Sequence, residues 1–307
     1  MTLAGKDGVE LRDIEIFLTL AEELHFGRTA ARLHVSQARV SQAISRQERH
    51  LGAPLFDRAN RRRIELTPLG RQLRDDLRPV YTGLHDSLRR ARLHAQGFTA
   101  VLRVGMIPPN AHDLRRYWET FRARHPRWRL RILHAPVTDP FAGLRRGDVD
   151  VLVTWLPVRE PDLTVGPLLC TGPRVLAVPT DHPLARHDRV SQEAAADLLH
   201  PTVDAPGYWV EGLLPARTRR GRVIERGPVV GNAEEALALV SSGEVAGLFP
   251  AHVSRYWKRP DIAYLPVRDL DVVRFAPVWR TEAETDLVRA FARTVRDLGP
   301  LEDQEAS

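Results

Sequence analysis

Cysteine and lysine are nearly missing from this chain. Cys170 is the single cysteine in 307 residues, which excludes an internal disulfide and any metal site built on paired thiolates. Its neighbours Leu168 and Leu169 are apolar, so the thiol reads as a small buried hydrophobe rather than a redox sensor. Lysine occurs only as Lys6 and Lys258. With the richness in arginine and proline, this points to a GC-rich bacterial genome rather than to mechanism. No apolar run approaches the roughly 18 residues of a membrane span, and residues 1–10 lack the apolar core of an export signal. The expected compartment is therefore the cytoplasm, with no membrane partner. Enzyme signatures are missing as well. There is no HExxH, GxSxG, P-loop or GxGxxG, and the 12 histidines are scattered without metal-ligand spacing. The acidic pairs Asp75-Asp76 and Glu234-Glu235 are adjacent in sequence and so face apart on helices. No catalytic residue, metal or cofactor is expected.

What the chain has is arginine in one place. The formal net charge is +6. Residues 1–96 hold 17 Lys+Arg against 12 Asp+Glu, or +5, and residues 36–63 hold seven arginines against Glu48 and Asp57, again +5. A basic surplus confined to one segment suits phosphate neutralisation there, and the nearly neutral remainder does not suggest a second nucleic-acid surface.

That segment contains GRTAARLHVSQARVSQAISR at 27–46. Before it, Ile14, Phe17, Leu18 and Ala21 fall at i, i+3, i+4 and i+7, predicting an amphipathic helix over 11–23. Ala30, Leu33, Val35, Val40 and Ile44 can close a small core between two further helices, and Ser36 stands where an N-cap is needed. With Val40 and Ile44 inward, Gln37, Arg39, Gln42 and Arg46 are left for another face. Gln pairs with adenine and Arg with guanine in the major groove, and recognition helices read bases near their N-termini. Leu55 and Phe56, then a polar turn with Arg58, Arg61, Arg62 and Arg63, then Ile64-Glu65-Leu66, predict a hairpin whose tip suits phosphate contacts. On a lone helix, Gln and Arg along one face usually mark nothing but solvation. Three helices, the Ser36 cap, an arginine-rich hairpin and a long helix, in that order, decide otherwise.

Thr67-Pro68 starts that long helix, Thr as cap and Pro at the first position. From it Leu69, Leu73, Leu77, Val80, Leu84, Leu88 and Ala91 recur at intervals of three and four, about three heptads of apolar seam. Packing on its own domain would cover such a seam; pairing of two chains in a coiled coil is preferred, since a dimer presents two recognition helices to two half-sites. Pro79 predicts a bend in this helix rather than a break. Beyond Gln96-Gly97 the pattern becomes βαβ-like. Strands are predicted at 101–107, 129–134, 149–155, 174–179, 199–203, 222–230, 245–249 and 273–279. Helices are predicted at 111–124, 139–146, 191–197, 207–215, 233–242 and 282–298. The alternation implies a parallel sheet covered by helices, in two subdomains joined by crossovers near 163–172 and 262–268.

The stretches FGRTAARLHVSQARVSQAI (26–44), LGAPLFDR (51–58) and LTPLGRQL (66–73) resemble the LysR-type transcriptional regulators. PTDHPLA (179–185) and SSGEVAGLFP (241–250) extend the likeness over the whole length, more loosely. Arg39 departs from the proline or small residue usual there. The resemblance implies a multidomain α+β chain: a winged helix-turn-helix DNA-binding domain (1–66), a linker helix for dimerisation (67–97) and a periplasmic-binding-protein-like effector domain (98–307). Subdomain I of the latter would be 98–168 with 269–300, and subdomain II 169–268. The implied DNA-binding residues are Arg28, Thr29, Ser36, Gln37, Arg39, Gln42, Arg46, Arg58, Arg61, Arg62 and Arg63. Ligands of such folds sit between the subdomains, near strand ends and helix N-termini, which implies Pro108, Pro109, Asn110, Trp155, Thr202, Asn232 and Phe249. The family often places Ser or Thr in the first of these loops to bind a carboxylate; Pro-Pro-Asn here does not favour one. The expected function is a sequence-specific transcription regulator that senses a small molecule and alters its geometry on double-stranded promoter DNA, as a homodimer or homotetramer. The alternatives are a constitutive DNA-binding protein with a filled cleft, or a solute-binding protein with an appended helical segment.

Overall fold

A computed structural model describes residues 10–57, 64–95, 97–107 and 111–302. The chain forms two compact units, residues 1–97 and 98–307. In the first, α1 (Leu11–Glu23), α2 (Phe26–Arg32) and α3 (Gln37–Leu51) precede a hairpin of β1 (Phe56–Asp57) and β2 (Glu65–Leu66), and α4 (Pro68–Ala95) comes next. Phe17, Ala30, Val40, Ile44, Leu55 and Phe56 meet in one buried cluster. Phe17 and Phe56 touch edge to face at 5.8 Å, which ties the hairpin to α1. Two glycines meet backbone demands. Gly52 ends α3 in the left-handed region at φ 73. Gly70 brings the first turn of α4 against the hairpin, since a Cβ there would stand 2.1 Å from the Leu55 carbonyl oxygen.

Helix α4 runs through Pro79 without interruption. Its apolar seam is divided. Leu73, Leu77 and Tyr81 pack on the cluster of their own unit, whereas Val80, Leu84 and Leu88 are exposed at 67%, 39% and 49%. Own-domain packing thus explains only Leu73 and Leu77 of the seam, and Leu69 at its start is exposed as well.

The second unit opens with β3 (Ala100–Met106), α5 (Arg115–Arg124), β4 (Trp128–His134), α6 (Ala142–Arg146), β5 (Val151–Trp155), β6 (Leu163–Val165) and β7 (Cys170–Gly172). It continues with β8 (Arg174–Pro179), β9 (Leu199–Thr202), α7 (Gly207–Glu211), β10 (Glu225–Val229), α8 (Ala233–Ser241), β11 (Gly247–Pro250), α9 (Val253–Tyr256) and β12 (Ile262–Pro266). It closes with β13 (Val273–Arg280), α10 (Asp286–Leu298) and β14 (Leu301–Glu302). One sheet has the order β14-β7-β13-β5-β3-β4, with β6 also on β13; β11-β8-β12 form a second and β9-β10 a third.

Four sequence expectations need correction. The large sheet is mixed, because β13 returns antiparallel to β5 beside the parallel pairs of β3, and the β11-β8-β12 sheet is wholly antiparallel. The segments at 163–172 and 262–268 are largely strands β6, β7 and β12, so the chain crosses between subdomains at Pro173 and over 267–272 instead. β7 pairs with β13 and β14, which moves residues 169–172 and 301–302 into the first subdomain. Residues 191–197 form only a short 3₁₀ turn, and α7 covers five residues. Arg174 stands at the first crossing. Its guanidinium donates to the carbonyls of Asp271, in the second crossing, and Gly212. Burial pushes its pKa down to about 10.

His252, just before α9, is buried with Nε2 unpartnered, 5.9 Å edge to face from Phe275 of β13. Asp113, which favours its charge, and Arg255, which opposes it, are the nearby charged groups; burial outweighs both and lowers its pKa from 6.5 to about 4. The unfolded chain takes up this proton at higher pH than the native protein does. Stability is therefore full above pH 6.5 and falls as pH drops toward 4, by up to about 3 kcal/mol from this group. Thermal melts between pH 7 and 4 should show a smaller loss for His252→Leu than for the parent chain.

Candidate nucleic-acid interface and effector cleft

The interface is built around α3. The Ser36 hydroxyl oxygen accepts the Arg39 amide at 3.2 Å, an N-cap that satisfies one of the helix's free donors. Val40, Ala43, Ile44 and Gln47 are buried. Gln37, Ala38, Gln42 and Arg49 are exposed, with Ser41 and Ser45 half-buried. Ala38, Gln42, Ser45 and Arg49 recur at i, i+4, i+7 and i+11, so they share the face opposite the buried one. Ala38, Ser45 and Arg49 were not among the sequence candidates, although their spacing was readable there. An Ala methyl suits the thymine methyl group.

Arg39 and Arg46 are not loose on this face. Both reach the carboxylate of Asp13 in α1. Arg39 Nη2 donates to Oδ1 at 2.9 Å, and Arg46 Nη2 to Oδ1 and Oδ2, each at 2.9 Å. Asp13 is 3% exposed, Arg39 31% and Arg46 49%. Gln47 Nε2 donates to the Asp13 backbone carbonyl at 2.8 Å. Asp13 escapes sequence reasoning because a lone acid in the first turn of a helix ordinarily signals the helix dipole and nothing more. With Nη2 engaged, Arg39 is anchored to α1 and does not present a free fork.

The remaining candidates separate. Thr29 is buried and its hydroxyl donates to the His25 carbonyl at 2.9 Å. Its side chain belongs to the interior, which corrects its place among the contact residues. Arg28 is 61% exposed and donates to the Glu23 carbonyl at 2.6 Å. Hydrogen bonds from Arg32 and Arg28 hold the Glu23 carboxyl below its ordinary pKa. In the wing, Phe56 pairs with Leu66 and Asp57 with Glu65. Arg58, Arg61, Arg62 and Arg63 lie outside the described residues.

In the second unit, four sequence candidates come together around one cavity of about 110 Å³. Trp155 ends β5, Thr202 ends β9, Asn232 caps α8 and Phe249 lies on β11; all four line it. Pro108, Pro109 and Asn110 fall outside the described residues. Trp155 is locked: its ring stacks on Trp209 at 3.8 Å, and its Nε1 donates to the Trp209 carbonyl at 2.9 Å. Trp209 Nε1 donates in turn to Thr154 Oγ1 at 3.2 Å, so α7 is fastened to the end of β5. Trp209 itself is fully buried behind Trp155.

Residues 11–71 match the bacterial regulatory helix-turn-helix proteins of the lysR family, and residues 95–300 match the LysR substrate binding domain. The chain belongs to the LysR family of transcriptional regulators. It is 32% identical over 273 residues to the uncharacterized HTH-type transcriptional regulator YnfL of Escherichia coli (strain K12), covering 86% of this chain and 90% of that one. To the HTH-type transcriptional regulator IlvR of Caulobacter vibrioides it is 28% identical over 319 residues, covering 96% and 100%. Among solved structures, full-length CbnR complexed with its target DNA matches with a TM-score of 0.64 at 24% identity, covering 94% of this chain and all of that one. The BenM effector binding domain with its effector benzoate matches at 0.52 and 20% identity, covering 66% and 92%. Both likenesses concern the fold. The named relatives of this LysR-family regulator are transcriptional regulators, and among the described residues no helix is long and apolar enough to cross a membrane.

Removing the Asp13 carboxylate should release two guanidiniums toward phosphate. Asp13→Ala removes the single negative charge the two share, and is expected to lower the melting temperature and to steepen the slope of log K against log salt by up to about 1 on any duplex. Binding titrations at several salt concentrations check this; an unchanged slope would show that Asp13 does not restrain the two arginines.

Proposed function

We propose that the protein regulates transcription by placing α3 of each protomer of a homodimer, or of a dimer of dimers, in successive major grooves of an interrupted inverted repeat, under control of a small molecule in the cleft. The observation that carries this reading is the division of α3 into one face closed by Val40, Ala43, Ile44 and Gln47 and an opposite face left to Ala38, Gln42, Ser45 and Arg49. Gln37 and Gln42, exposed on α3, are assigned to base edges. Arg39 and Arg46, held by Asp13, are assigned to the groove's flanking phosphates together with Arg28 and with Arg58, Arg61, Arg62 and Arg63 of the wing. Ser36 sets the helix end at the backbone. The CbnR–DNA structure supports this use of the fold, and the benzoate-bound BenM domain supports the cleft as an effector site.

Dimerisation is assigned to the exposed Val80, Leu84 and Leu88 of α4. Effector binding would change cleft closure and with it the placement of the paired DNA-binding domains, so effector and DNA must alter each other's affinity by the same factor. The open cavity at Trp155 and Thr202 favours this over a constitutive regulator with a filled cleft. The cytoplasm is assigned as the place where such a protein meets promoters.

Selection of bound genomic fragments and then gel-shift titration tests the assignment. Gln42→Ala should lose about 1–3 kcal/mol on the selected site and little on random DNA. Arg62→Ala should weaken both alike and reduce the salt slope by about 1. Equal losses for Gln42→Ala on both duplexes would remove direct readout. In sedimentation runs the double change Leu84→Glu with Leu88→Glu should yield folded monomers; a persisting dimer would place the interface elsewhere.

A further inference from the structure

The reading of the cleft as an effector site leaves its ligand open, and the walls restrict it. None of the described residues around the cavity is ionisable; apart from the indoles, Thr202 and Asn232 are its only polar side chains. In folds of this kind a helix N-terminus commonly receives an anion. Here α8 begins at the cavity with one of its first-turn amides taken by its own cap. Asn232 Oδ1 accepts the Glu235 amide at 2.9 Å, and Glu235 Oε2 accepts the Gly231 amide at 2.7 Å. Glu234 also lies in that first turn; both glutamates are exposed and off the cavity wall, and their charge offsets the positive potential of that helix end.

Resting on the effector reading, we propose that the cleft takes an uncharged molecule of about one ring, bearing a hydroxyl or carbonyl oxygen, and rejects carboxylates. Trp155, Phe249 and Trp257 supply apolar contact area. Thr202 and Asn232 are the polar side chains of the wall, other than the indoles, available to an oxygen of the ligand. An apolar cavity of roughly 150 Å³ admits benzene, so about 110 Å³ holds a single ring with slight opening of the walls. Burying a carboxylate among these residues would leave its charge unpaired, which a neutral isostere avoids.

The test uses the full chain, with tryptophan fluorescence and calorimetry as readouts and three probes. These are cyclohexanol and the isosteric pair cyclohexanecarboxamide and cyclohexanecarboxylate. The alcohol and the amide should bind, and the carboxylate should bind at least about 100-fold more weakly than the amide. Thr202→Arg, at a half-buried position, should reverse the order within the isosteric pair. Ala236→Leu, which fills the cavity, should abolish binding of all three while circular dichroism remains unchanged. A carboxylate that binds as tightly as the amide overturns the proposal, and so does a folded chain that binds none of the probes. If the neutral probes bind but leave promoter affinity unaltered in gel shifts, the ligand class stands and the regulatory reading of the cleft falls instead.

Discussion

The carboxylate of Asp13 sets the terms of the amino-terminal unit. It lies between α1 and α3, almost wholly buried, and takes three hydrogen bonds from two arginines that approach from the solvent side. A buried charge is tolerated only when it is paired and hydrogen-bonded. Here the pairing partners belong to the helix assigned to the groove. The pitch of α3 against α1 and the position of its basic side chains are therefore one constraint, and Gln47 adds a bond to the same residue's backbone. Long arginine side chains carry much rotamer freedom. Holding two of them before DNA arrives reduces the ordering left to be done on binding, at the cost of the freedom to fork onto a guanine.

A comparable economy governs the second unit. Its two chain crossings meet at Arg174, whose guanidinium holds the carbonyls of Gly212 and Asp271. Its cleft is faced by Trp155, fixed by the Trp209 stack and by a hydrogen bond across it. One wall of the cavity is thus rigid, while Thr202, Asn232 and Phe249 come from strands and a helix of the second subdomain. A ligand joining the two sides would couple its own burial to their closure, which is the differential contact that any effector-driven shift requires.

Much of this was legible in the chain. The recognition helix showed itself through Val40 and Ile44 and the Ser36 cap, because local hydrogen bonding and a 3.6-residue period are written in consecutive residues. The family resemblance implied Trp155, Thr202, Asn232 and Phe249 at strand ends and caps, and all four line the cavity. The errors share a cause. Thr29 went to the interior because a hydroxyl in a helix can turn back to the carbonyl four residues earlier, and nothing in the sequence marks which side it chooses. The crossings were displaced because β6, β7 and β12 are short, and the pairing of β6 and β7 is decided by partners about 100 residues or more away, as with Leu163 and Arg280.

Composition and spacing alone determined that this is an arginine-led DNA-binding unit joined to a two-lobed α/β unit, since charge clustering and hydrophobic period survive without any tertiary contact. Only the folded chain decided that Arg39 and Arg46 share one carboxylate, that Leu73 and Leu77 of the α4 seam are covered while Leu69, Val80, Leu84 and Leu88 are bare, and that Asn232 and Glu235 cap the start of α8. Those outcomes depend on distances between residues remote in sequence or on which groups a local turn brings into reach. A hydrogen bond or an exclusion of charge acts over a few ångströms of space, however many residues separate its partners.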